Sequence, residues 1–284
     1  MKLKLYILVF LSSIILECLL GLVRGYATFM ISSLVGFLLY FALTVFFVRK
    51  LRSNAPDYMI LLAIMLGLCI IEVPIRIFSW NQTLVSLPDF IDHFLGVMLG
   101  FMFIKSKPLL GISLAITGLA ITIFMFYSGY DLWLHKLNFG TFTDTVIENE
   151  PEFNIPGSTN RALNNKSLKN KLVIFDFWQT SCGVCFRKFP ILQQKFDKYK
   201  SLEKVEIYAV NIPIKQDTLN EVINIIKNLN YTFPVLVVED KSFRKKFNIS
   251  HVPTVIIIKN GNKIVYRGDI DGIDKVVEDF KKAR

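Results

Sequence analysis

The segment FDFWQTSCGVC places Cys182 and Cys185 two residues apart, behind an apolar run that contains a single carboxylate, Asp176. That spacing allows a redox dithiol, half of a zinc site, or two unrelated thiols. A structural zinc site needs four ligands. The other cysteines, Cys18 and Cys69, lie in apolar stretches of membrane length, and the only histidines are His93, His135 and His251. No second ligand pair stands at a workable spacing, so no metal is expected. Two idle thiols fit poorly in an oxidising compartment. A redox-active Cys182–Cys185 pair that needs no added cofactor is the remaining chemistry.

The elements around the pair suit that chemistry. Lys171–Trp178 reads as a buried central strand. From Cys185 onward, Phe186, Phe189, Ile191, Leu192 and Phe196 follow the period of an amphipathic helix. The dithiol therefore falls at a strand-to-helix turn, with Cys182 near the helix N-terminus, where free N–H groups and the dipole favour a thiolate. Cys182 is then the attacking sulfur and Cys185 the resolving one. Arg187 and Lys188 either add positive potential or are helix-surface charges. Asp176, six residues before Cys182, is costly in a buried strand unless paired. It either exchanges a proton with Cys185 during turnover or caps a local hydrogen-bond network.

The 284 residues divide sharply in composition. Residues 1–135 hold 9 Lys+Arg and 6 Asp+Glu, whereas residues 136–284 hold 24 and 17, a net +7. The lysines of the second part are dispersed among carboxylates, which describes a solvated surface and not a nucleic-acid stripe. The first part reads as five spans: Leu5–Val23, Ala27–Val48, Tyr58–Phe78, Leu87–Ile104 and Leu109–Tyr127. The fourth is the weakest, with Asp89, Asp92 and His93 at its start. The first span lacks a small-residue cleavage site and reads as retained. Lys2, Lys4, Arg49, Lys50, Arg52, Lys105 and Lys107 fall on one face of a five-span bundle, against Arg24 and Arg76 on the other. By the positive-inside rule the carboxyl-terminal domain lies outside the cytoplasm. Glu72 and Arg76 stand four apart on one helix face and can pair. With Glu17, Asp92 and His93 they form either a buried ion-pair cluster or a site for a quinone, thiol partner or substrate. Cys18 and Cys69 are either small core residues or carriers of electrons across the bilayer.

FDFWQTSCGVC, the later HVPTVIIIKNGNKIVYRG and Pro190, five residues after Cys185, resemble the thioredoxin fold. The resemblance implies a cis Val252–Pro253 bond opposite the dithiol, with Trp178, Val252, Pro253 and Thr254 meeting a substrate strand. Asn260-Gly261 is in its own right a hairpin signal. PEFNIPGSTNRALNNKSLKNKLVIFDFW resembles the N-terminal hairpin of the TlpA/ResA-like branch. The 68 residues from Cys185 to Pro253 accommodate strand Val205–Ile212, helix Thr218–Leu229 and strand Phe233–Val238, similar to that branch's βα insert. Ser181 and Val184 depart from the Trp and Pro usual at those positions.

The expected architecture is an α-helical membrane bundle of about five spans (1–135), a linker (136–149) and an α/β thioredoxin-fold domain with a TlpA-like βα insert (150–284). The five spans and the charge bias imply a multi-pass protein of the bacterial inner membrane with a periplasmic domain, and the resemblance implies that this domain reduces disulfides. Its partners would be protein thiols and disulfides, a membrane or periplasmic thiol electron donor and the lipid bilayer, with no nucleic acid. The alternatives are a membrane electron carrier or transporter with a docked thioredoxin domain, and a non-enzymatic binding module with a structural disulfide.

Overall fold

The computed structural model describes residues 2–143, 145–149, 151–155, 163–214, 217–238 and 242–282. The chain forms two compact units, Met1–Leu134 and His135–Arg284.

The first unit is helical: α1 (Lys2–Tyr26), α2 (Phe29–Leu51), α3 (Asp57–Phe78), the short α4 (Trp80–Thr83), α5 (Leu87–Lys105), α6 (Pro108–Phe124) and, after a π turn at Met125–Gly129, α7 (Tyr130–Phe139). Five stretches are long and apolar enough to cross a membrane: Leu3–Tyr26, Phe29–Leu51, Asp57–Phe78, Trp80–Lys105 and Pro108–Phe139. Their outward surface is apolar, with Leu8, Ile15, Leu19, Leu62 and Ile116 exposed, while Glu17, Asp89, Asp92 and His93 are buried between helices. Charge inside and grease outside is the arrangement that hydrocarbon imposes. The doubtful fourth span is thereby accounted for, because its three polar residues point inward. Glu72 and Arg76 pair at 2.8 Å. Cys18 and Cys69 are free thiols.

The second unit is built on a six-stranded mixed sheet. Its strands are β1 (Thr145–Asn149), β4 (Leu172–Trp178), β5 (Val205–Asn211), β6 (Val235–Val237), β7 (Thr254–Lys259) and β8 (Lys263–Gly268), in the order β1-β8-β7-β4-β5-β6. β5 and β6 run parallel to β4, and β7 runs antiparallel to it. The stretch 136–149, expected as a linker, supplies β1, which pairs antiparallel with β8. A separate hairpin pairs β2 (Asn154–Ile155) with β3 (Leu163–Asn164) where the N-terminal hairpin was expected. The residues that join them, 156–162, lie outside the described residues.

Helices α8 (Gly183–Tyr199), α9 (Leu219–Asn228), α10 (Phe243–Lys246) and α11 (Ile273–Lys282) complete the unit. The expected βα insert is β5-α9-β6, and α9 starts on a capping box between Thr218 and Glu221. β4 alternates its side chains between two apolar layers. Leu172, Ile174 and Trp178 face Phe189, Leu192 and Val277, whereas Val173, Phe175 and Phe177 face Phe243, Phe247 and Ile256. Both faces of the strand are consumed by core, so every residue of β4 is buried.

The turn between β7 and β8 has positive φ at Asn260 (60°) and Gly261 (69°), as the Asn-Gly signal demands. A Cβ on Gly261 would lie 2.1 Å from the Asn165 carbonyl oxygen. Gly261→Ala should therefore destabilise the second unit by about 1–3 kcal/mol, read as lost hydrogen-exchange protection of the β7 and β8 amides.

Candidate active site

β4 ends at Trp178, and the chain turns through Gln179–Ser181 into α8. The backbone N–H of Cys182 donates to the Gln179 carbonyl at 3.0 Å, closing that turn. Cys182 is the N-cap of α8, and its sulfur accepts the Cys185 N–H at 3.2 Å. The attacking position thus sits on the free N–H groups of a 17-residue helix. Pro190 falls inside α8, which continues to Tyr199.

Cys182 and Cys185 are joined in a disulfide. Cys182 is half-buried, while Cys185 is 1% exposed and belongs to the apolar layer with Trp178 and Phe189. Only one sulfur of the pair can meet an incoming disulfide. It lies 3.8 Å from the carbonyl oxygen of Val252, and the Val252–Pro253 peptide bond is cis. Val252 and Pro253 are partly exposed. Thr254 is buried at the head of β7, and its hydroxyl donates to the His251 carbonyl at 2.8 Å. The structure therefore brings Cys182, Val252 and Pro253 to one accessible spot.

Trp178 is placed differently. It is fully buried and packs edge-on against Phe186 and Phe189, with centroids at 5.8 and 5.0 Å. Its side chain forms the wall behind the dithiol and offers no surface to a substrate.

Asp176 is 2% exposed, and one of its carboxylate oxygens has no hydrogen-bond partner. It pairs in register with Ala209 on β5 and Val255 on β7, on the same face of the sheet as Trp178. Desolvation pushes its pKa up to about 7; the nearby Asp269 carboxylate adds to the rise and the Lys188 ammonium opposes it. Lys188 and Asp269 are themselves ion-paired at the rim. The expectation that Lys188 is either a source of positive potential or a surface charge resolves into this pair. Sequence reasoning did not find Asp269, because it reaches α8 from the end of β8, 81 residues away, with no local motif. Thr180 donates to Asp217 at 2.9 Å, a second long-range contact beside the dithiol without a sequence signal.

A half-buried cysteine capping a helix, its buried disulfide partner, a buried acid and a cis-proline loop on a mixed sheet together make a thioredoxin-fold domain like those of the thiol–disulfide oxidoreductase class. The Thioredoxin-like family model matches residues 170–264.

Within that class the chain is similar to the thiol-disulfide oxidoreductase ResA of Bacillus subtilis, at 30% identity over 115 residues, which is 40% of this chain and 62% of that protein. It is also similar to ResA of Bacillus thuringiensis subsp. konkukian, at 24% over 159 residues, covering 56% of this chain and 86% of the relative. Among solved structures, a thiol:disulfide interchange protein from Bacteroides sp. aligns with a TM-score of 0.41 at 19% identity, over 49% of this chain and 90% of that one. StoA from Bacillus subtilis aligns with a TM-score of 0.37 at 19% identity, over 44% and 95%.

The raised pKa of Asp176 has a thermodynamic consequence. The native carboxyl keeps its proton up to about pH 7, whereas an unfolded aspartate releases it near 3.9. The native state thus binds more protons between these values, and stability falls as pH rises through them by about 4 kcal/mol. Asp176→Asn should leave stability nearly unchanged at pH 4 and raise it by a few kcal/mol at pH 8.5, roughly the full linkage term. Hydrogen-exchange protection of the β4 amides in variant and wild type, compared at each pH, checks this.

Proposed function

We propose that the protein is a membrane-anchored thiol–disulfide oxidoreductase whose thioredoxin domain lies outside the cytoplasm and reduces protein disulfides. The observation that carries this reading is the asymmetry of the pair: Cys182 is accessible and helix-capped, and Cys185 is sealed in the apolar core. The five apolar helices support the anchor. The similarity to ResA proteins supports the activity, and the positive-inside bias supports the outward orientation.

In the proposed cycle the reduced Cys182 thiolate attacks one sulfur of a substrate disulfide. The substrate S–S bond breaks, a substrate thiolate leaves, and a mixed disulfide forms on Cys182. Asp176, ionised, takes the proton of Cys185, whose thiolate attacks Cys182 Sγ and expels the second substrate thiolate. Two substrate sulfurs are reduced and two protein sulfurs oxidised; the Cys185 proton passes by way of Asp176 to one leaving thiolate, and the other takes its proton from solvent. The disulfide state of the structure is the product. A membrane or periplasmic thiol donor must restore the dithiol before another turn. Val252 and Pro253 flank the accessible sulfur and would receive the substrate strand.

Three measurements on the full chain test this reading, two in proteoliposomes and one in cells. Cys182→Ser should drop insulin disulfide reduction to the uncatalysed background, whereas Cys185→Ser should accumulate a mixed disulfide with substrate. Retained turnover in Cys182→Ser would overturn the catalytic assignment. Resolution of the mixed disulfide should speed up as pH rises through about 7, as Asp176 ionises, and Asp176→Asn should flatten that profile and lower its plateau by roughly 10²-fold or more. In intact cells, a membrane-impermeant thiol reagent should label Cys182 after reduction; no labelling with or without reduction would refute the outward topology.

A further inference from the structure

One end of the helical bundle collects a second group of chemically active side chains, unrelated to the dithiol. It lies where α1 and α3 end and α2 and α5 begin. Four carboxylates meet there, Glu17, Glu72, Asp89 and Asp92, all buried. Arg24 lies among three of them, with Nη2 2.5 Å from Glu17, Nη1 2.6 Å from Glu72 and Nε 2.5 Å from Asp89. Arg76 holds the other Glu72 oxygen and the carbonyls of Thr83 and Ser86, with its guanidinium over the Phe90 ring.

His93, fully buried, completes the group. Its Nδ1 lies 3.1 Å from Glu17 Oε2, an oxygen that also accepts the Tyr40 hydroxyl at 3.0 Å. Its Nε2 makes a 3.3 Å hydrogen bond with the Ser32 carbonyl and lies 3.3 Å from Asp89 Oδ1, an ion-pair contact with an oxygen that is otherwise without a hydrogen-bond partner. Both ring nitrogens therefore face acceptors. A neutral imidazole carries one N–H and would leave a lone pair against an oxygen; only a proton on each nitrogen satisfies this setting. The ring is fixed there by Gly36, where a Cβ would come within 1.9 Å of Nε2.

Counting charges with His93 as a cation gives three positive groups for four carboxylates. The unmatched acid is Asp92, which is 2% exposed and meets the Ser33 hydroxyl at short range. An unpaired buried carboxylate is too costly to hold inside a membrane bundle, and protonation relieves that cost. Beside it, the Ser32 hydroxyl is fully buried without a partner, and Arg76 Nε likewise. Among the described residues no group of His, Cys, Asp and Glu is arranged to hold a metal ion.

We propose that this cluster is a proton-binding site of the bundle, holding one proton on His93 between Glu17 and Asp89 and a second on the Asp92 carboxyl against Ser33. Its ligand is the hydron itself, exchanged from the end of the bundle at which Arg24 remains 16% exposed. The groups that set its occupancy come from five helices: Glu17, Arg24 and the Ser13 carbonyl behind Tyr40 on the α1 side, Ser32, Ser33 and Tyr40 on α2, Glu72 and Arg76 on α3, Asp89 on α5, and the buried Thr122 hydroxyl that faces Asp92 from α6.

The full chain in lipid, labelled with ¹⁵N at histidine and held at pH 8, tests the first proton. One of the three histidines should show both ring nitrogens protonated, and that signal should vanish in His93→Gln while persisting in His135→Gln and His251→Gln. Three neutral histidines would overturn the proposal, whether or not any variant folds. Infrared spectra of the Asp176→Asn chain at the same pH test the second. A protonated-carboxyl C=O band should be present, shifted by Ser33→Ala and lost in Asp92→Asn. If the band is missing from the Asp176→Asn chain, or is indifferent to both further substitutions, the assignment to Asp92 is wrong. Insulin reduction is read in parallel, so a failure of the dithiol chemistry is recognised separately from a failure of this site.

Discussion

Strand β4 is covered by core on both faces and hydrogen-bonded along both edges, and the rest of the thioredoxin unit depends on keeping it so. A strand sealed on all sides has to deliver its chain to the surface at one end, and it does so immediately after Trp178. The turn that follows leaves the first N–H groups of α8 without helical partners. One is satisfied by the sulfur of Cys182. The accessible nucleophile, the buried resolving sulfur one turn on, and the wall made by Trp178, Phe186 and Phe189 all follow from where this strand stops and this helix starts.

The same burial makes Asp176 costly, and Asp176 sits two residues before Trp178 on the face that α8 covers. A carboxylate there would oppose the negative charge that the helix N-terminus favours on Cys182. Kept neutral by desolvation up to about pH 7, it offers no such opposition, yet it can ionise within reach of physiological pH. Lys188 and Asp269 set the local field from the rim with opposite signs. The bundle handles its buried acids differently, by surrounding them with guanidinium groups, an imidazole and hydroxyls, since hydrocarbon supplies no water to share the charge.

What the sequence made legible was local in the chain. The two-residue spacing of the cysteines, the apolar run before them, the Asn260-Gly261 turn and the Glu72–Arg76 pair each involve residues within a few positions of one another, and each is present. What stayed hidden was long-range. Arg24 reads as a flanking charge at the end of a span, because its partners Glu72 and Asp89 lie 48 and 65 residues away. The stretch 136–149 reads as a linker because β1 acquires strand geometry only by pairing with β8, more than a hundred residues on. Trp178 invites a substrate role by its position near the dithiol, and only the packing of α8 shows that its ring is used up in the core.

Gly183 and Val184 occupy the first two positions of α8, and both are exposed, Val184 to 45%. A proline at Val184 would delete one N–H from the helix N-terminus; valine retains it. That additional donor stabilises a thiolate at Cys182, and stabilising the reduced state makes a disulfide more oxidising. The dipeptide therefore favours the thiolate form of Cys182 over a deeply reducing potential. In the proposed cycle, net reduction of substrate then depends on how strongly an electron donor keeps the pair reduced, so the direction of flow belongs to the donor as much as to the site.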